Sequence, residues 1–212
     1  MKRALVVIDV QNEYITGGLP IGYPAPALSL ANIAIAMDAA AAAGIPVVVV
    51  QHAAPEQSPV FGRGGHGHGL HESVASRHHD HLVEKALPSS FAGTGLADLL
   101  AREGVDTLTI VGYMTQTCVE STTRDAVHRG YAVEVLSDAT GALPLANRVG
   151  AMSADQVHHA VLVVLQTFFA YVATTGEWCA AVRAKAPLGR ADFAAATDAG
   201  YAAVSGQEGP AV

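Results

Sequence analysis

The sequence contains few cysteines and few basic residues. Proteins stabilised by disulfides or zinc depend on the former, and proteins that bind nucleic acids depend on the latter. It contains two cysteines in 212 residues, Cys118 and Cys179, and neither belongs to a CxxC pair. This pattern argues against a disulfide framework and against a structural zinc knuckle. Its 12 basic residues are outnumbered by 19 acidic ones, for a net charge of -7, and no basic stripe is present. We therefore expect a small-molecule partner rather than a nucleic acid or an anionic membrane.

Long apolar runs are also missing from the sequence. No run reaches the length of a bilayer span, and Asp9 interrupts the first apolar stretch too early for a signal peptide. We therefore expect a cytoplasmic protein in which both cysteines stay reduced. With 50% hydrophobic residues, the chain is long enough for one domain with a sizeable core, which we place at residues 1–184. Residues 185–212 are expected to be a partly ordered extension, whose alanine-rich part at 190–203 forms either a helix or an oligomer contact.

Buried strands alternate with helices along the chain. Apolar, largely β-branched runs predict strands at residues 4–8, 47–50, 81–87, 107–111 and 131–136, and a short last strand at 177–181. Helical patterns and caps predict helices at residues 28–43, 96–103, 154–172 and from threonines 115 and 117 to about residue 129. Strands that alternate with helices predict a single doubly wound, three-layer α/β domain with a mainly parallel sheet.

The most informative stretch is residues 106–130, where a strand, a glycine and a helix follow one another. Cys118 lies in the first turn of the predicted helix, at the carboxyl end of the strand. Free backbone N–H groups and the positive end of the helix dipole favour a thiolate there, which is the nucleophilic form of cysteine. Position alone leaves open the alternative of a small buried hydrophobic residue.

Two further charged residues follow strands of the same predicted sheet. Asp9 ends the first strand and Lys85 lies at or near the end of the third. Taken singly, each could be an ordinary solvated side chain. Together with Cys118 they provide a base for the thiol proton and a cation for the thiolate, and the N–H groups of Met114 and Cys118 are candidates for an oxyanion hole.

Residues 53–80 form a long, irregular stretch rich in glycine and histidine, which indicates a functional loop or a mobile lid. Its GRGGHG segment at residues 62–67 matches a GxGxxG pattern, but it lacks the flanking strand and helix of a dinucleotide site. The histidines at positions 52, 66, 68, 71, 78, 79 and 81, with Asp80, have no recognised ligand spacing. We therefore interpret them as solvated and expect neither a metal nor another cofactor.

Three motifs in order resemble those of the isochorismatase-like cysteine hydrolases. The segment GYMTQTCVESTTRDAVHRGYAVEVLSDA resembles the signature of this superfamily, VVIDVQNEY its first-strand motif, and EKALPSSFAGTGL its lysine motif. Together they cover most of residues 4–140. The superfamily includes nicotinamidases, N-carbamoylsarcosine and ureidoacrylate amidohydrolases, and streptothricin hydrolase, and it implies an isochorismatase-like, Rossmann-like fold.

The resemblance implies a mechanism and a role for each matching residue. Asp9 would be the general base, Lys85 would stabilise thiolate and aspartate, and Cys118 would attack a carbonyl to form a thioester that water cleaves. It also implies a cis Tyr113–Met114 bond, which would turn the Met114 N–H into the oxyanion hole, and a homo-oligomer, either a dimer or a tetramer. The expected reaction is hydrolysis of a C–N bond in a small amide, ureide or lactam.

The sequence departs from one branch of this superfamily, and two other functions stay open. Metal-dependent nicotinamidases have an aspartate where this chain has Val50, although His52 remains, so a metal-assisted nicotinamidase is not expected. An isochorismatase-type ether hydrolase, which would not need Cys118, and a non-catalytic metabolite-binding member stay open as alternatives. The candidate substrate-binding residues, for which core packing is the alternative to a pocket wall, are Gln11, Tyr14, His52, Phe61, Phe91, Tyr113 and Gln116.

Overall fold

A six-stranded parallel sheet forms the middle layer of the protein, whose computed structural model describes residues 1–189 and 192–205. In chain order the strands are β1 (Arg3–Ile8), β2 (Val47–His52), β3 (His81–Lys85), β4 (Thr107–Tyr113), β5 (Ala132–Gly141), β6 (Leu145–Asn147), β7 (Gly150–Met152) and β8 (Tyr171–Ala173). The helices are α1 (Pro26–Ala42), α2 (Glu72–Ala75), α3 (Leu96–Arg102), α4 (Glu120–His128), α5 (Ala154–Phe168), α6 (Thr175–Ala184) and α7 (Phe193–Ser205). The sheet order is β3-β2-β1-β4-β5-β8, while β6 and β7 form a separate antiparallel pair. The predicted doubly wound α/β class is confirmed.

Successive side chains of each central strand enter two different core regions, because neighbouring residues of a strand point to opposite faces. Leu5 and Val7 of β1 pack in the core that includes α1 and α6. Val6 and Ile8 pack in the core that includes α3, α4 and α5. All residues of β1 and β4 are buried. Burial on both faces explains the uninterrupted apolar runs and produces the three layers.

The strand order reverses between β1 and β4. From β1 the chain winds outward through β2 to β3, then returns to β4 on the other side of β1 and continues outward through β5 to β8. Such a reversal leaves a crevice at the carboxyl ends of the two strands, where α/β proteins bind ligands. Gly112 permits the close approach of β4 to β1 at this point, since its φ is 107° and a Cβ would overlap the carbonyl oxygen of Ile8.

The structure corrects the sequence interpretation near the C-terminus. The stretch 177–181 predicted as a strand belongs to α6, which begins with a capping box formed by Thr174 and Glu177. Trp178 and Val182 lie four residues apart and are both buried, as on one face of a helix. The preceding helix α5 ends at Phe168, before the predicted end at residue 172, and β8 supplies the last strand instead.

The predicted C-terminal extension contains α7, which contacts α5. The rings of Phe168 and Phe193 stack there with centroids 4.4 Å apart. Residues 190–191 and 206–212 of the predicted extension lie outside the described residues, and the domain boundary at residue 184 stays a prediction. Within the described ranges, every helix is too short or too polar to cross a membrane.

A buried ion pair joins the amino-terminal ends of the strands. The Arg3 guanidinium donates hydrogen bonds to both carboxylate oxygens of Glu134, at 2.7 Å from Nη2 to Oε1 and 2.9 Å from Nε to Oε2. Glu134 also accepts hydrogen bonds from the Thr109 hydroxyl at 2.7 Å and the Trp178 indole at 3.0 Å. The network links β1, β4, β5 and α6, and it leaves the buried carboxylate fully paired.

We expect Arg3→Met to lower the free energy of unfolding by about 3–5 kcal/mol, because Glu134 would be left buried without its cation. Urea denaturation followed by circular dichroism would measure the change. Arg77→Met is the matched control: it breaks the pair with Asp38, whose side chain is 63% exposed, and should cost less than about 1 kcal/mol. Equal losses in the two variants would contradict this interpretation.

Candidate active site

Three strand ends bring Asp9, Lys85 and Cys118 together at the carboxyl edge of the sheet. Asp9 directly follows β1 with a φ of 51°, and its N–H donates to the Val50 carbonyl of β2. Lys85 is the last residue of β3, paired in register with His52 at the end of β2. Cys118 lies in a π-helical turn, Thr115–Val119, between β4 and α4. The long lysine side chain therefore crosses the end of β2 to reach the crevice beside β1.

The lysine ammonium lies at the centre of this group. Its Nζ is 2.7 Å from Oδ2 of Asp9, 3.3 Å from Sγ of Cys118 and 3.2 Å from Nδ1 of His52. The side chains of Lys85 and Asp9 are completely buried. Apart from this contact with the ammonium, neither carboxylate oxygen of Asp9 makes a hydrogen bond of regular geometry among the described residues. The ion pair with Lys85 therefore balances the charge of Asp9, while lone pairs on its oxygens stay free to take a proton.

Burial determines the protonation of the nucleophile. It raises the pKa of the Cys118 thiol to about 12, the negative charge of Asp9 raises it further, and Lys85 opposes both. The net direction is therefore opposite to the one that the helix start alone would produce. Burial also raises the pKa of Asp9 above its ordinary value, with Lys85 opposing. The resting site contains a neutral thiol beside an ion pair.

The start of the helix that contains Cys118 is fixed by a histidine that sequence inspection missed. His158 on α5 donates from Nε2 to the carbonyl of Ser137, at 3.0 Å, so its Nδ1 accepts the hydroxyl hydrogen of Thr115, also at 3.0 Å. Burial lowers the pKa of His158 to about 4, which keeps the ring neutral. The capping-box pattern placed His158 on a helix but gave no signal for this contact. The Tyr113–Met114 bond that precedes the turn is cis, as the resemblance implied.

Four of the candidate substrate-binding residues form one group of rings. Tyr14 contacts Phe61 and Tyr113, with ring centroids 5.1 and 5.7 Å apart, and His52 contacts Phe61 at 5.1 Å. Burial raises the pKa of the Tyr14 phenol, and the nearby negative charge of Asp9 raises it further. The Tyr113 hydroxyl is 2.7 Å from that of Ser29. These rings form a rigid, largely apolar wall beside the cysteine.

The remaining candidates lie in other environments. Phe91 makes its ring contacts with Tyr131 and with the Arg129 guanidinium, so the structure does not bring it to the four rings. Its position six residues after the end of β3 gave no indication of this. Gln116, two residues before Cys118, donates to the Met114 sulfur at 3.5 Å, and its buried Oε1 has no partner within the described ranges.

Gln11 binds protein groups rather than facing open space. Its Nε2 donates to the carbonyls of His52 and His68, at 2.9 and 2.8 Å, and its Oε1 accepts the N–H of His52 at 2.9 Å. The Asn12 N–H donates to the Gly69 carbonyl in the same region. The segment 53–80 is thus docked onto the residues that follow β1.

The histidines of this segment do not converge on a metal site. In the part of the chain that is described, no group of three or more histidine, cysteine or acidic side chains is arranged to hold a metal ion. His66 contacts the Thr16 hydroxyl at 2.8 Å, and His71 caps α2 by accepting the Ser73 N–H. Cavities of about 720 and 650 Å³ lie around Arg183 and around His159, and neither is lined by Cys118. The candidate site is therefore identified by the contacts among its side chains rather than by either cavity.

A family model, a solved structure and two relatives all indicate the same family. The isochorismatase domain model matches residues 3–177. The crystal structure of an isochorismatase homologue from Burkholderia xenovorans LB400 is 55% identical, with a TM-score of 0.94, and covers 96% of this chain and 98% of its own. The uncharacterized isochorismatase family protein YddQ of Bacillus subtilis is 33% identical over 82% of this chain and 97% of its own length. The ureidoacrylate amidohydrolase RutB of Rhizobium rhizogenes is 30% identical over 88% of this chain and 85% of its own length.

We expect the two charged neighbours to shift the reactivity of Cys118 in opposite directions. Asp9→Asn removes a charge that raises the thiol pKa and leaves Lys85 unopposed, so alkylation by iodoacetamide at neutral pH should accelerate roughly tenfold or more. Lys85→Met should slow it. Peptide mass spectrometry across a pH series would measure both rates, with Cys179 as the internal reference. Slower alkylation of Cys118 in Asp9→Asn would contradict the electrostatics of the site.

Proposed function

The chain belongs to the isochorismatase family of hydrolases, and on that premise we propose that it cleaves the C–N bond of a small amide, ureide or lactam through a thioester on Cys118. The single observation behind the proposal is the buried contact of the Lys85 ammonium with both the Asp9 carboxylate, at 2.7 Å, and the Cys118 sulfur, at 3.3 Å. This arrangement supplies a nucleophile, a base for its proton and a cation for the resulting thiolate.

In the proposed first half-reaction, Asp9 takes the proton of the Cys118 thiol as the sulfur attacks the carbonyl carbon. The carbonyl electron pair moves to oxygen, and the tetrahedral intermediate then re-forms the carbonyl and breaks the C–N bond. The leaving nitrogen takes the proton from Asp9 and departs as an amine or ammonia, or, in a lactam, becomes a free amine at the other end of the acyl chain. A thioester remains on Cys118, and the Asp9 carboxylate is regenerated.

In the second half-reaction, Asp9 removes a proton from water as the water oxygen attacks the thioester carbon. The C–S bond breaks, the sulfur recovers the proton through Asp9, and the acid is released. The N–H groups of Met114 and Cys118 are proposed to donate to the carbonyl oxygen in both steps. Their position at the start of a helix that follows β4 supports this role, because free N–H groups point outward there.

The charge balance of the site supports Asp9 as the base. Before the transfer, the site contains a carboxylate, an ammonium and a thiol; after it, a carboxylic acid, an ammonium and a thiolate. The net charge is the same in both states, so no uncompensated charge is created in a site whose Asp9 and Lys85 side chains are completely buried. A raised pKa also makes Asp9 a stronger base than an ordinary aspartate.

The surroundings of Cys118 support a small substrate with an N–H group. The rings of Tyr14, Phe61 and Tyr113 leave a compact apolar wall, and the buried Oε1 of Gln116 is free to accept a hydrogen bond. An amide or ureide offers such a donor, and the relative RutB is named as a ureidoacrylate amidohydrolase. Homo-oligomeric assembly is likewise proposed on the family resemblance.

A screen of small amides, ureides and lactams by mass spectrometry should find a hydrolysed substrate. We expect Cys118→Ser to reduce turnover of that substrate by roughly 10³-fold or more, because the nucleophile is replaced. Hydroxylamine should trap the acyl group from the wild type as a hydroxamate. Cys179→Ser is the matched control and should keep full activity. Turnover that survives Cys118→Ala would favour a mechanism without a cysteine nucleophile, as expected of an ether-type hydrolase, and binding without any turnover would favour a non-catalytic protein.

The pH profile should have an acid limb set by Asp9. The base must be ionised to take the thiol proton, so kcat/KM should fall as the pH drops through the raised pKa of Asp9. Since that pKa is raised, the fall should begin above the ordinary 3.8 of an aspartyl side chain. Initial rates across an acidic pH series would measure it. A profile that stays flat to pH 3.8 would contradict Asp9 as the base.

A further inference from the structure

Among the described residues, three acceptors surround the Lys85 ammonium, one for each of its three hydrogens. An ammonium carries three N–H donors and no lone pair, so each contact partner must accept. Two of the partners, Asp9 and Cys118, take part in the proposed reaction, whereas the third, Nδ1 of His52 at 3.2 Å, has no part in it. This third contact fixes the rotation of the ammonium about its Cε–Nζ bond.

The His52 ring is suited to be a permanent acceptor. Burial and the charge of Lys85 lower the pKa of His52 to about 4, so the imidazole is neutral in the neutral range. Because Nδ1 must accept from the ammonium, the ring hydrogen lies on Nε2. The ring also packs edge-on against Phe61, with centroids 5.1 Å apart, which limits its rotation.

Two hydrogen bonds with the side-chain amide of Gln11 hold the backbone of His52. The side-chain amide of Gln11 both donates to the His52 carbonyl, at 2.9 Å, and accepts from the His52 N–H, also at 2.9 Å. Gln11 is completely buried and lies two residues after Asp9. The segment that contains the proposed base therefore sets the position of His52, which in turn contacts the lysine.

We propose that His52, held by Gln11, is a positioning residue that accepts the third ammonium hydrogen of Lys85 and thereby directs the other two towards Asp9 and Cys118. The inference rests on the proposed function of the triad and changes the expected role of both residues, from lining the substrate pocket to orienting the lysine. Without the acceptor, one buried hydrogen of the ammonium would be unpaired and the other two would no longer be directed at Asp9 and Cys118, which weakens the support for a thiolate.

The test compares His52→Phe, which removes the acceptor but keeps a ring, with His52→Asn, which returns an acceptor on Cγ. The first readout is the pH dependence of Cys118 alkylation by iodoacetamide, which needs no substrate. The second is the separation of kcat from KM on the amide identified by the screen. His78→Phe is the matched control, because that side chain is 72% exposed. Thermal melts of all variants report whether each one folds.

We expect His52→Phe to slow alkylation at neutral pH by roughly 10- to 100-fold, the range covered by one lost hydrogen bond to a charged group. Its kcat should fall by a similar factor with KM unchanged, and its alkylation profile should move to higher pH. His52→Asn should be close to the wild type in all three measurements. If His52→Phe does not fold, Gln11→Met should show the same changes, because it releases the His52 backbone.

Three results would overturn the proposal. Wild-type alkylation in His52→Phe would exclude an effect on the lysine. A higher KM with unchanged kcat and alkylation would return His52 to the substrate pocket. A folded His52→Asn as slow as His52→Phe would show that the accepting atom is irrelevant. Loss of the proposed function is distinguishable, because it would appear as turnover that survives Cys118→Ala, whatever the alkylation rates of the His52 variants.

Discussion

The ion pair between Asp9 and Lys85 is the interaction on which the site depends. Burying two charges costs several kcal/mol for each ion, and only close, well-shaped contact offsets this. Here the two side chains are completely buried and 2.7 Å apart. The contact requires the ends of β1 and β3 to be held at fixed positions with β2 between them, and the continuous apolar strands provide that rigidity. The neutral thiol of Cys118 follows first from burial; the carboxylate of the pair raises its pKa further, and the ammonium opposes both.

Much of this arrangement could be predicted from the sequence, because strand ends leave a strong local signal. A buried parallel strand is a short apolar run, and the first charged residue after it marks the carboxyl edge of the sheet, as Asp9 does after β1. The predicted start of β3 at His81 agrees with the structure, whereas the strand ends at Lys85, two residues before the predicted end. The carboxyl ends of parallel strands lie at one edge of a sheet. Because Asp9, Lys85 and Cys118 lie at or after the ends of separate strands, the sequence predicted that the three side chains are close together. Their catalytic roles stay a proposal.

The features that sequence inspection missed depend on three-dimensional surroundings. The direction of the Cys118 pKa shift is set first by burial, which the local helix-start pattern does not reveal. Residues 177–181 contain tryptophan and cysteine, which suit a strand, but the Thr174 and Glu177 capping box makes them helical. Gln11 lies beside Asp9 in the chain, which suggested a substrate contact, yet its amide is fully used by His52 and His68.

The two ends of β1 show why one buried ion pair can be structural and another reactive. At the amino end, both carboxylate oxygens of Glu134 accept hydrogen bonds from Arg3, and Oε2 also accepts from Thr109 and Trp178, so the group is saturated. At the carboxyl end, Asp9 has the Lys85 ammonium as its close neighbour and no further hydrogen bond of regular geometry among the described residues. A guanidinium keeps its protons at any ordinary pH and binds both oxygens at once, which locks the carboxylate. An ammonium is a compact charge that leaves carboxylate lone pairs open, so the pair at Asp9 can take a proton from Cys118 and return it.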